Sequence, residues 1–298
     1  MKVLVLVNPH SGKLARNGPK IIDRIQAFAR SADWDLQIRS SEYPGHCREM
    51  ARAAADSGKW DRVVSCGGDG TLNEVAGGLV HTPQAFGILP LGTGNGLARH
   101  LGIPLALEKA MAVIANPRII TIDTGTANEK FFCNAAGMGF DAFTGRAYNA
   151  IKKRSQWAYL RTTLRCLWQF RPQTFYFGKK DPEAREIKGH LLTVANGSQY
   201  GMNARIAPRA SVQDGKRDIV GVTVPNLLAV APLALRLFRG TLQRSARVFY
   251  EQSGGIHISH TGSHFFHVDG EIFPYQDEVH FICHPQSLYI CTGEGEVN

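Results

Sequence analysis

Asp61-Arg62-Val63-Val64-Ser65-Cys66-Gly67-Gly68-Asp69-Gly70-Thr71-Leu72-Asn73-Glu74 is the stretch on which the fold turns. Asp61–Cys66 reads as a short apolar strand and Thr71–Val80 as a helix. The glycines between them permit positive φ and let main-chain N–H groups approach a ligand closely. The same arrangement flanks this stretch on both sides. Upstream, the strand Lys2–Val7 runs into Asn8-Pro9-His10-Ser11-Gly12, with a helix over Pro19–Ala32. Downstream, the strand Ala85–Leu89 runs into Leu91-Gly92-Thr93-Gly94-Asn95, with a helix starting over Gly96–Leu101. A further strand, Trp34–Ser40, and a helix, His46–Ser57, complete the alternation. Strands alternating with helices predict a parallel sheet covered by helices, with ligands bound beyond the carboxyl ends of the strands. Helix amino ends there favour an anion. Three glycine turns at one sheet edge point to a polyphosphate site.

After Ile119–Asp123 the pattern changes. Lys130–Ala136, Thr174–Gly178, His190–Asn196, Ile219–Val224, Ile256–His260 and His264–Val268 are short segments bounded by Gly, Pro and Asn, which predicts antiparallel strands. Two helical stretches, Ile151–Phe170 and Leu227–Leu242, interrupt them. The boundary is expected near Thr121–Gly125. This divides the chain into an α/β nucleotide-binding domain, 1–123, and a β-sandwich substrate domain, 124–298, whose C-terminal end is free to pack back on the first.

Composition narrows the class. The chain has 298 residues, 44% hydrophobic and 20% charged, which is ordinary for a folded protein and argues against disorder or coiled coil. No run of 18 apolar residues predicts a spanning helix. The apolar stretch after Met1 is too short for a signal peptide and reads as a buried strand. Six cysteines without C-x-x-C spacing predict reduced, buried thiols rather than disulfides or a zinc ribbon. Of the overall +9, the segment from Lys152 to Arg247 holds 18 basic and five acidic residues, a local net charge of +13, whereas no Lys or Arg follows Arg247. Such an excess implies an anionic partner.

The familiar nucleotide motifs are missing. There is no G-x-x-x-x-G-K-[ST], and Leu97 stands where the last glycine of G-x-G-x-x-G belongs. A P-loop enzyme and a standard Rossmann dehydrogenase are thereby excluded. Asp69 is the unusual member, because a carboxylate repels phosphate unless a divalent cation lies between them; the other reading is a turn or helix-cap aspartate. Thr71 and Glu74 also fit a capping box.

These residues together resemble a family. Gly67-Gly68-Asp69-Gly70-Thr71, Asn8-Pro9-x-Ser11-Gly12 and Gly92-Thr93-x-Asn95 are similar to the catalytic domain of the diacylglycerol kinase and sphingosine kinase superfamily, in a layout nearest the soluble bacterial lipid kinases. Asn134-x-Ala136-Gly137-x-Gly139-Phe140-Asp141-Ala142, Ala210-x-x-x-Asp214-Gly215 and Val268-Asp269-Gly270-Glu271 match its later motifs in order, so the resemblance covers nearly the whole chain. GGDG alone is shared with NAD kinases and, more loosely, phosphofructokinases. The resemblance implies ATP-dependent phosphorylation of a lipid hydroxyl, diacylglycerol or sphingoid-like, in a cleft between an α/β domain and a β-sandwich. It implies ATP on Asn8, Pro9, His10, Ser11, Gly12, Ser41, Gly67, Gly68, Asp69, Gly70, Thr71, Leu72, Asn73, Glu74, Gly92, Thr93 and Asn95. Asp69 would act with Mg2+ at the phosphates and Glu271 as general base. A structural Mg2+ would sit on Asp214 with main-chain oxygens near Ser211 and Lys216, although Asp214-Gly215 and Asp269-Gly270 are also ordinary hairpin turns. One departure stands out: Gly96 occupies a position where bacterial diacylglycerol kinases usually carry Asp.

His257, His260, His264 and His267 read as ordinary strand histidines rather than a metal cluster. Ile151–Arg171 places Lys152, Lys153, Arg154, Arg161, Arg165 and Arg171 among large aromatics, which suits an anionic membrane surface. The alternative there is a domain-packing helix. Leu227–Leu242 reads as core, or as cover for acyl chains. The expectation is a cytoplasmic enzyme held peripherally at the inner membrane face, with no nucleic-acid partner; a homodimer is compatible with it. The competing readings are a kinase of a soluble acceptor such as NAD and a non-catalytic nucleotide- or lipid-binding homologue.

Overall fold

The structure, a computed structural model, describes residues 1–149, 161–162, 165–166, 170–178, 185–262 and 264–293. In the first part, β1 (Lys2–Val7), α1 (Leu14–Ser31), β2 (Asp35–Ser40), α2 (His46–Ser57), β3 (Arg62–Gly67), α3 (Asp69–Leu79), β4 (Phe86–Pro90), α4 (Gly96–His100) and α5 (Leu107–Ala115) alternate as expected. Its strands are parallel, in the order β2-β1-β3-β4. Val3 to Val7 are all buried. A strand buried on both faces is what a helix-covered parallel sheet requires. α1 begins before Pro19 because two helical pieces meet at Asn17, whose φ of −134° breaks the helix; the proline starts the second piece, where its missing N–H costs nothing.

The second part contains β5 (Arg118–Ala127), β6 (Lys130–Phe132), β7 (Ala135–Gly139), α6 (Phe140–Asn149), β8 (Gln173–Phe177), β9 (Arg185–Gly189), β10 (Leu191–Ala195) and β11 (Arg217–Val222). It continues with α7 (Val230–Arg239), β12 (Val248–Ser253), β13 (Gly255–His260), β14 (Phe265–Val268), β15 (Glu271–Pro274) and β16 (Val279–Thr292). Six strands form an antiparallel sheet in the order β12-β11-β10-β7-β14-β15. Facing it, β16, β13, β8 and β9 extend the first sheet. Phe175, Ile258 and Phe281 from that extension share a buried cluster with Met138, Leu192, Val194 and Phe266 of the antiparallel sheet. The sandwich is therefore real, and one of its layers is continuous with the parallel sheet.

Three segments depart from expectation. Lys130–Ala136 is not one strand: the N–H groups of Cys133 and Asn134 turn to a side-chain carboxylate, and the chain breaks there into β6 and β7. β16 has no counterpart among the expected strands; through it the C-terminal end packs back on the first part, as the sequence allows, meeting β4 at Ile290 and pairing along β5. Leu227–Leu242 is shortened to a 3₁₀ turn and α7, closed by Gly240 at φ 67°. Most of Ile151–Phe170 lies outside the described residues.

α2 and α3 cross at Gly78, where an added Cβ would overlap the Arg48 carbonyl and lie 2.7 Å from the Ala51 Cβ. Main chain on the neighbouring helix cannot swing away as a flexible side chain can. Gly78→Ala is therefore expected to lower unfolding free energy by about 1–3 kcal/mol, despite the better helix propensity of alanine, as read by urea denaturation.

Candidate functional site

The parallel register puts the ends of β2, β1, β3 and β4 side by side, so Ser41, Asn8–Gly12, Gly67–Gly70 and Gly92–Asn95 line one edge. The Asn8 side chain accepts from the His10 N–H, and its carbonyl accepts from the Ser11 N–H and hydroxyl. Gly68 and Gly92 touch: a Cβ on Gly92 would lie 2.5 Å from the Gly68 Cα. Asn95, held at φ 51°, closes its own turn by accepting from the Gly92 N–H and donating to the Gly92 carbonyl. The hydroxyl of Thr71, in the first turn of α3, is buried with no hydrogen-bond partner among the described residues. An unpaired buried hydroxyl at the free amino end of an eleven-residue helix fits an anionic oxygen ligand.

Two carboxylates act as caps, Asp69 in keeping with its helix-cap reading but on a helix other than its own. Asp69 accepts from the N–H groups of Asn95 and Gly96, at 2.9 and 2.8 Å, and so caps α4 and fixes the third turn to the second. Those N–H groups are consequently not free for phosphate, which leaves the amino end of α3 as the open one. Burial pushes the Asp69 carboxyl upward from its ordinary value, while the Gly96 and Asn95 N–H groups pull it back. The expected capping box also differs. α3 starts at Asp69 with no side-chain cap, and Glu74 instead accepts from the N–H groups of Gly45 and Cys47, capping α2.

Gly96 has a steric reason. A Cβ there would lie 2.6 Å from the Asn134 side-chain nitrogen and 2.9 Å from the Gln199 carbonyl. No aspartate fits at this position, because the segment around Gln199 already fills the space.

Across the cleft, Asp269 and Gly270 both have positive φ, 46° and 91°, the signature of a two-residue type I′ hairpin turn between β14 and β15. The Asp269 carboxylate accepts from the Asn73 amide at 2.7 Å and from the N–H groups of Cys133, Asn134 and Ala135 at 2.9, 3.1 and 2.8 Å. Asn73 stands one helical turn after Asp69, so this bond sets the sandwich edge against α3. Glu271, opening β15, makes no hydrogen bond among the described residues. Burial raises its carboxyl, Glu74 raises it further, and Arg48 pulls it back. Neither Arg48 nor Lys130, the other cation near Glu271, carried a sequence signal.

The turn containing Ser211, Asp214 and Lys216 was expected to hold a structural Mg2+. Its carboxylate and the Lys216 carbonyl accept hydrogen bonds from within the protein, and a buried guanidinium stands beside them. Asp214 accepts from the Lys216 N–H at 3.0 Å and from the Gln252 amide at 3.3 Å. The Lys216 carbonyl accepts from Arg217 Nη1 at 2.8 Å, and Arg217 is 2% exposed. A Mg2+ at its usual distance of about 2.1 Å from that carbonyl would lie within about 5 Å of the guanidinium nitrogen. At an effective dielectric of roughly 20, the repulsion is on the order of 5 kcal/mol. These residues do not fit a divalent ion. The four histidines do not gather either: His257 stacks on His280 and bonds Glu278, His260 bonds the Tyr275 hydroxyl, His264 sits edge-on to Tyr275, and His267 lies 3.7 Å from Asp141. Among the described residues no group of three His, Cys, Asp or Glu side chains is placed to bind a metal.

Residues 2–127 match the diacylglycerol kinase catalytic domain, and residues 134–292 match the YegS C-terminal NAD kinase beta sandwich-like domain. A protein of Chromohalobacter salexigens named "Probable lipid kinase YegS-like" is 34% identical over 197 residues, covering 64% of this chain and 63% of that protein, just under two thirds of its length. A diacylglycerol kinase of Bacillus subtilis is 27% identical over 279 residues, covering 90% of this chain and 88% of that one. A crystal structure of a diacylglycerol kinase from Bacillus anthracis superposes with a TM-score of 0.68 at 22% identity, over 98% of this chain and 97% of that one. That last likeness speaks for the fold alone.

Asp269→Asn leaves one acceptor oxygen for the donors that now share two. The loss is expected to be about 2–4 kcal/mol, since each stranded buried donor costs about 1–3 kcal/mol. Glu271→Gln, with no hydrogen bond to lose, is expected to stay within about 0.5 kcal/mol of the wild type. Urea unfolding of the two variants separates the structural carboxylate from the available one.

Proposed function

The chain joins a diacylglycerol kinase catalytic domain to a YegS-type β-sandwich and belongs to the diacylglycerol kinase superfamily, and from that premise we propose that it transfers the γ-phosphate of ATP to the hydroxyl of a lipid alcohol, diacylglycerol or sphingoid-like. One observation carries the reading: the Asn73–Asp269 bond brings Glu271 to the edge where the glycine turns and the amino end of α3 face the cleft.

In this mechanism Asn8–Gly12, Ser41, Gly67–Glu74, Gly92, Thr93 and Asn95 hold ATP. Main-chain N–H groups of α3 and of the turns, apart from those of Asn95 and Gly96 that Asp69 holds, meet the phosphate oxygens, and the Thr71 hydroxyl offers one more donor. Mg2+, when bound with ATP, neutralises phosphate charge, and Asp69 is the carboxylate that would hold it; its two bonds to main chain leave lone pairs on both oxygens. Glu271 takes the proton of the lipid hydroxyl. That oxygen forms a bond to the γ-phosphorus as the bond from phosphorus to the β,γ-bridging oxygen breaks, and ADP carries away the electron pair. Phosphoryl transfer otherwise needs mainly positioning and charge neutralisation, which the turns supply.

α7 supports the lipid side of the reading. Leu228, Leu235 and Phe238 are 87, 50 and 56% exposed, and with exposed Ala231 they form an apolar stripe at three- to four-residue spacing. Leu233 on the opposite face is buried. Arg239 borders the stripe on one side with half-buried Arg236 beyond it, and Arg161, Arg165 and Arg171 are exposed. An apolar stripe bordered by arginine is complementary to an anionic bilayer. The Arg205 N–H bonds the Leu237 carbonyl, and the Met202 N–H bonds the Gly94 carbonyl, so the segment 202–205 links α7 to the third phosphate-facing turn. The protein works in this reading as a peripheral enzyme of the cytoplasmic membrane face.

A radiolabelled-ATP screen over lipid alcohols in mixed micelles, with NAD as control, tests the function; label on NAD and on no lipid overturns it. Glu271→Gln is expected to lower kcat by roughly 10²–10⁴ while leaving ATP affinity little changed. Because Glu271 acts only when ionised and its carboxyl is raised from 4.5, activity should fall as pH drops through a value above that figure. Arg48→Met removes a charge that lowers this value and should move the acid limb to higher pH.

The membrane role has its own measurement. Leu228→Gln/Leu235→Gln/Phe238→Gln should sediment at least tenfold less with phosphatidylglycerol vesicles, while activity on a short-chain dispersed acceptor persists. Replacing Arg161 and Arg165, together with Lys152, Lys153 and Arg154, by Gln should weaken binding most at low salt. Equal vesicle binding by both variants and the wild type refutes docking.

A further inference from the structure

Arg217 opens β11, where it pairs across to Ser253 of β12 and lies buried at the junction of the two sheets. Its guanidinium donates to the Lys216 carbonyl and, through its other terminal nitrogen, to the Thr124 carbonyl of β5. One side chain therefore bonds the turn at its own end and a strand of the other layer. Around the same turn, the Asp123 carboxylate accepts from Gly215 N–H at 2.7 Å and Gln286 N–H at 2.8 Å. The Asp123 N–H donates to the Val212 carbonyl, and the Gln213 amide to the Thr121 carbonyl. The 211–216 turn thus staples β11 to β5 and β16.

Such a staple, built from carboxylates and main-chain carbonyls, needs positive charge. Burial lowers the Arg217 guanidinium from its ordinary value, while the charges of Asp123, Asp214 and Asp218 pull it back up. Arginine stays charged when buried and carries five donors in a fixed fork, so it can serve several oxygens at once, as a metal ion does. The acceptors of the turn already receive hydrogen bonds from within the protein: Asp214 from Lys216 N–H and Gln252, the Lys216 carbonyl from Arg217, and one oxygen of Asp218 from the Tyr250 hydroxyl and Gln252, while the other Asp218 oxygen is buried without a partner among the described residues.

We propose that the Arg217 guanidinium is the built-in cation of the 211–216 turn, standing in for a divalent ion, so that the staple between the two sheets holds with no metal at this place. The inference concerns the sandwich domain alone and is independent of the acceptor the enzyme uses.

The test reads folding, not activity. Thermal unfolding of the full chain is followed without nucleotide, in EDTA and in millimolar Mg2+ or Ca2+. The wild-type midpoint is expected to agree within about 1 °C across these conditions. Arg217→Leu keeps buried volume but removes the charge; its midpoint should fall, and Mg2+ or Ca2+ should restore at least about 3 °C of it by binding the native state. That recovery should vanish in Arg217→Leu/Asp214→Asn. A wild-type midpoint that drops in EDTA and returns with Mg2+, with the response lost in Asp214→Asn, overturns the proposal. So does an Arg217→Leu variant as stable as the wild type, or one that is weakened and gains nothing from either ion. Should Arg217→Leu fail to fold, Mn2+-induced broadening of the Gly215 and Lys216 amide signals in the wild type decides: their persistence supports the built-in cation, and their selective loss refutes it.

Discussion

The architecture of the cleft rests on the carboxylate of Asp269. It receives one side-chain amide from α3 and three main-chain N–H groups from the β6–β7 connection. Charge-assisted bonds of this kind are roughly twice as strong as neutral ones, and these four come from both sides of the cleft. The bond to Asn73 fixes the sandwich edge against α3, whose amino end begins the proposed polyphosphate site. The three N–H bonds explain why the chain breaks between β6 and β7, since donors used here are lost to the ladder. A type I′ turn is the natural place for such a residue. Both central positions require positive φ, and the tight reversal points the carboxylate back at the strand beside it.

The acidic residues of the site divide their labour accordingly. Asp69 caps α4, Glu74 caps α2 and Asp269 joins the two halves, each by accepting main-chain N–H groups. These bonds hold the acids in fixed orientations. Glu271 alone is left without such bonds among the described residues. Its carboxyl is raised by burial and by the neighbouring Glu74 and Asp269, against Arg48 and Lys130. A carboxylate positioned by its backbone, yet not occupied by hydrogen bonds, is chemically the most available of the four. Its availability depends on the other three being committed.

The sequence made the first half of the fold legible because strand and helix periods alternate cleanly there, and glycine punctuates each strand end. It placed the three turns at one edge without any contact being known. Side-chain partners were not legible. Asn73 and Asp269 lie 196 residues apart, and no local pattern reports that Glu74 caps a helix centred on Met50 rather than its own. β16 escaped for a different reason. Its ladder with β5 shifts register between His284 and Leu288, with Gln286 at φ 47°. Pro285 and Gln286 interrupt the alternation by which a fourteen-residue strand would be recognised. Gly96, legible only as a departure, acquires a cause once Asn134 and the Gln199 segment are seen against it.

β16 is also what makes the two halves a single mechanical unit. Its early residues pair with β13 in the sandwich, and Ile290 meets β4 in the parallel sheet. The bulge in between is gripped by Asp123 through the Gln286 N–H, and the same carboxylate holds Gly215. A second buried carboxylate thus ties the layers together, at a place distinct from Asp269. Two such ties on one shared strand system over-determine the placement of α3 relative to β15. The distance between the glycine turns and Glu271 therefore follows from hydrogen bonds that take no part in the proposed chemistry. This matters for a reaction whose catalysis is chiefly positioning, because a displacement of about 1 Å at the reacting atoms is enough to cost on the order of a hundredfold in rate.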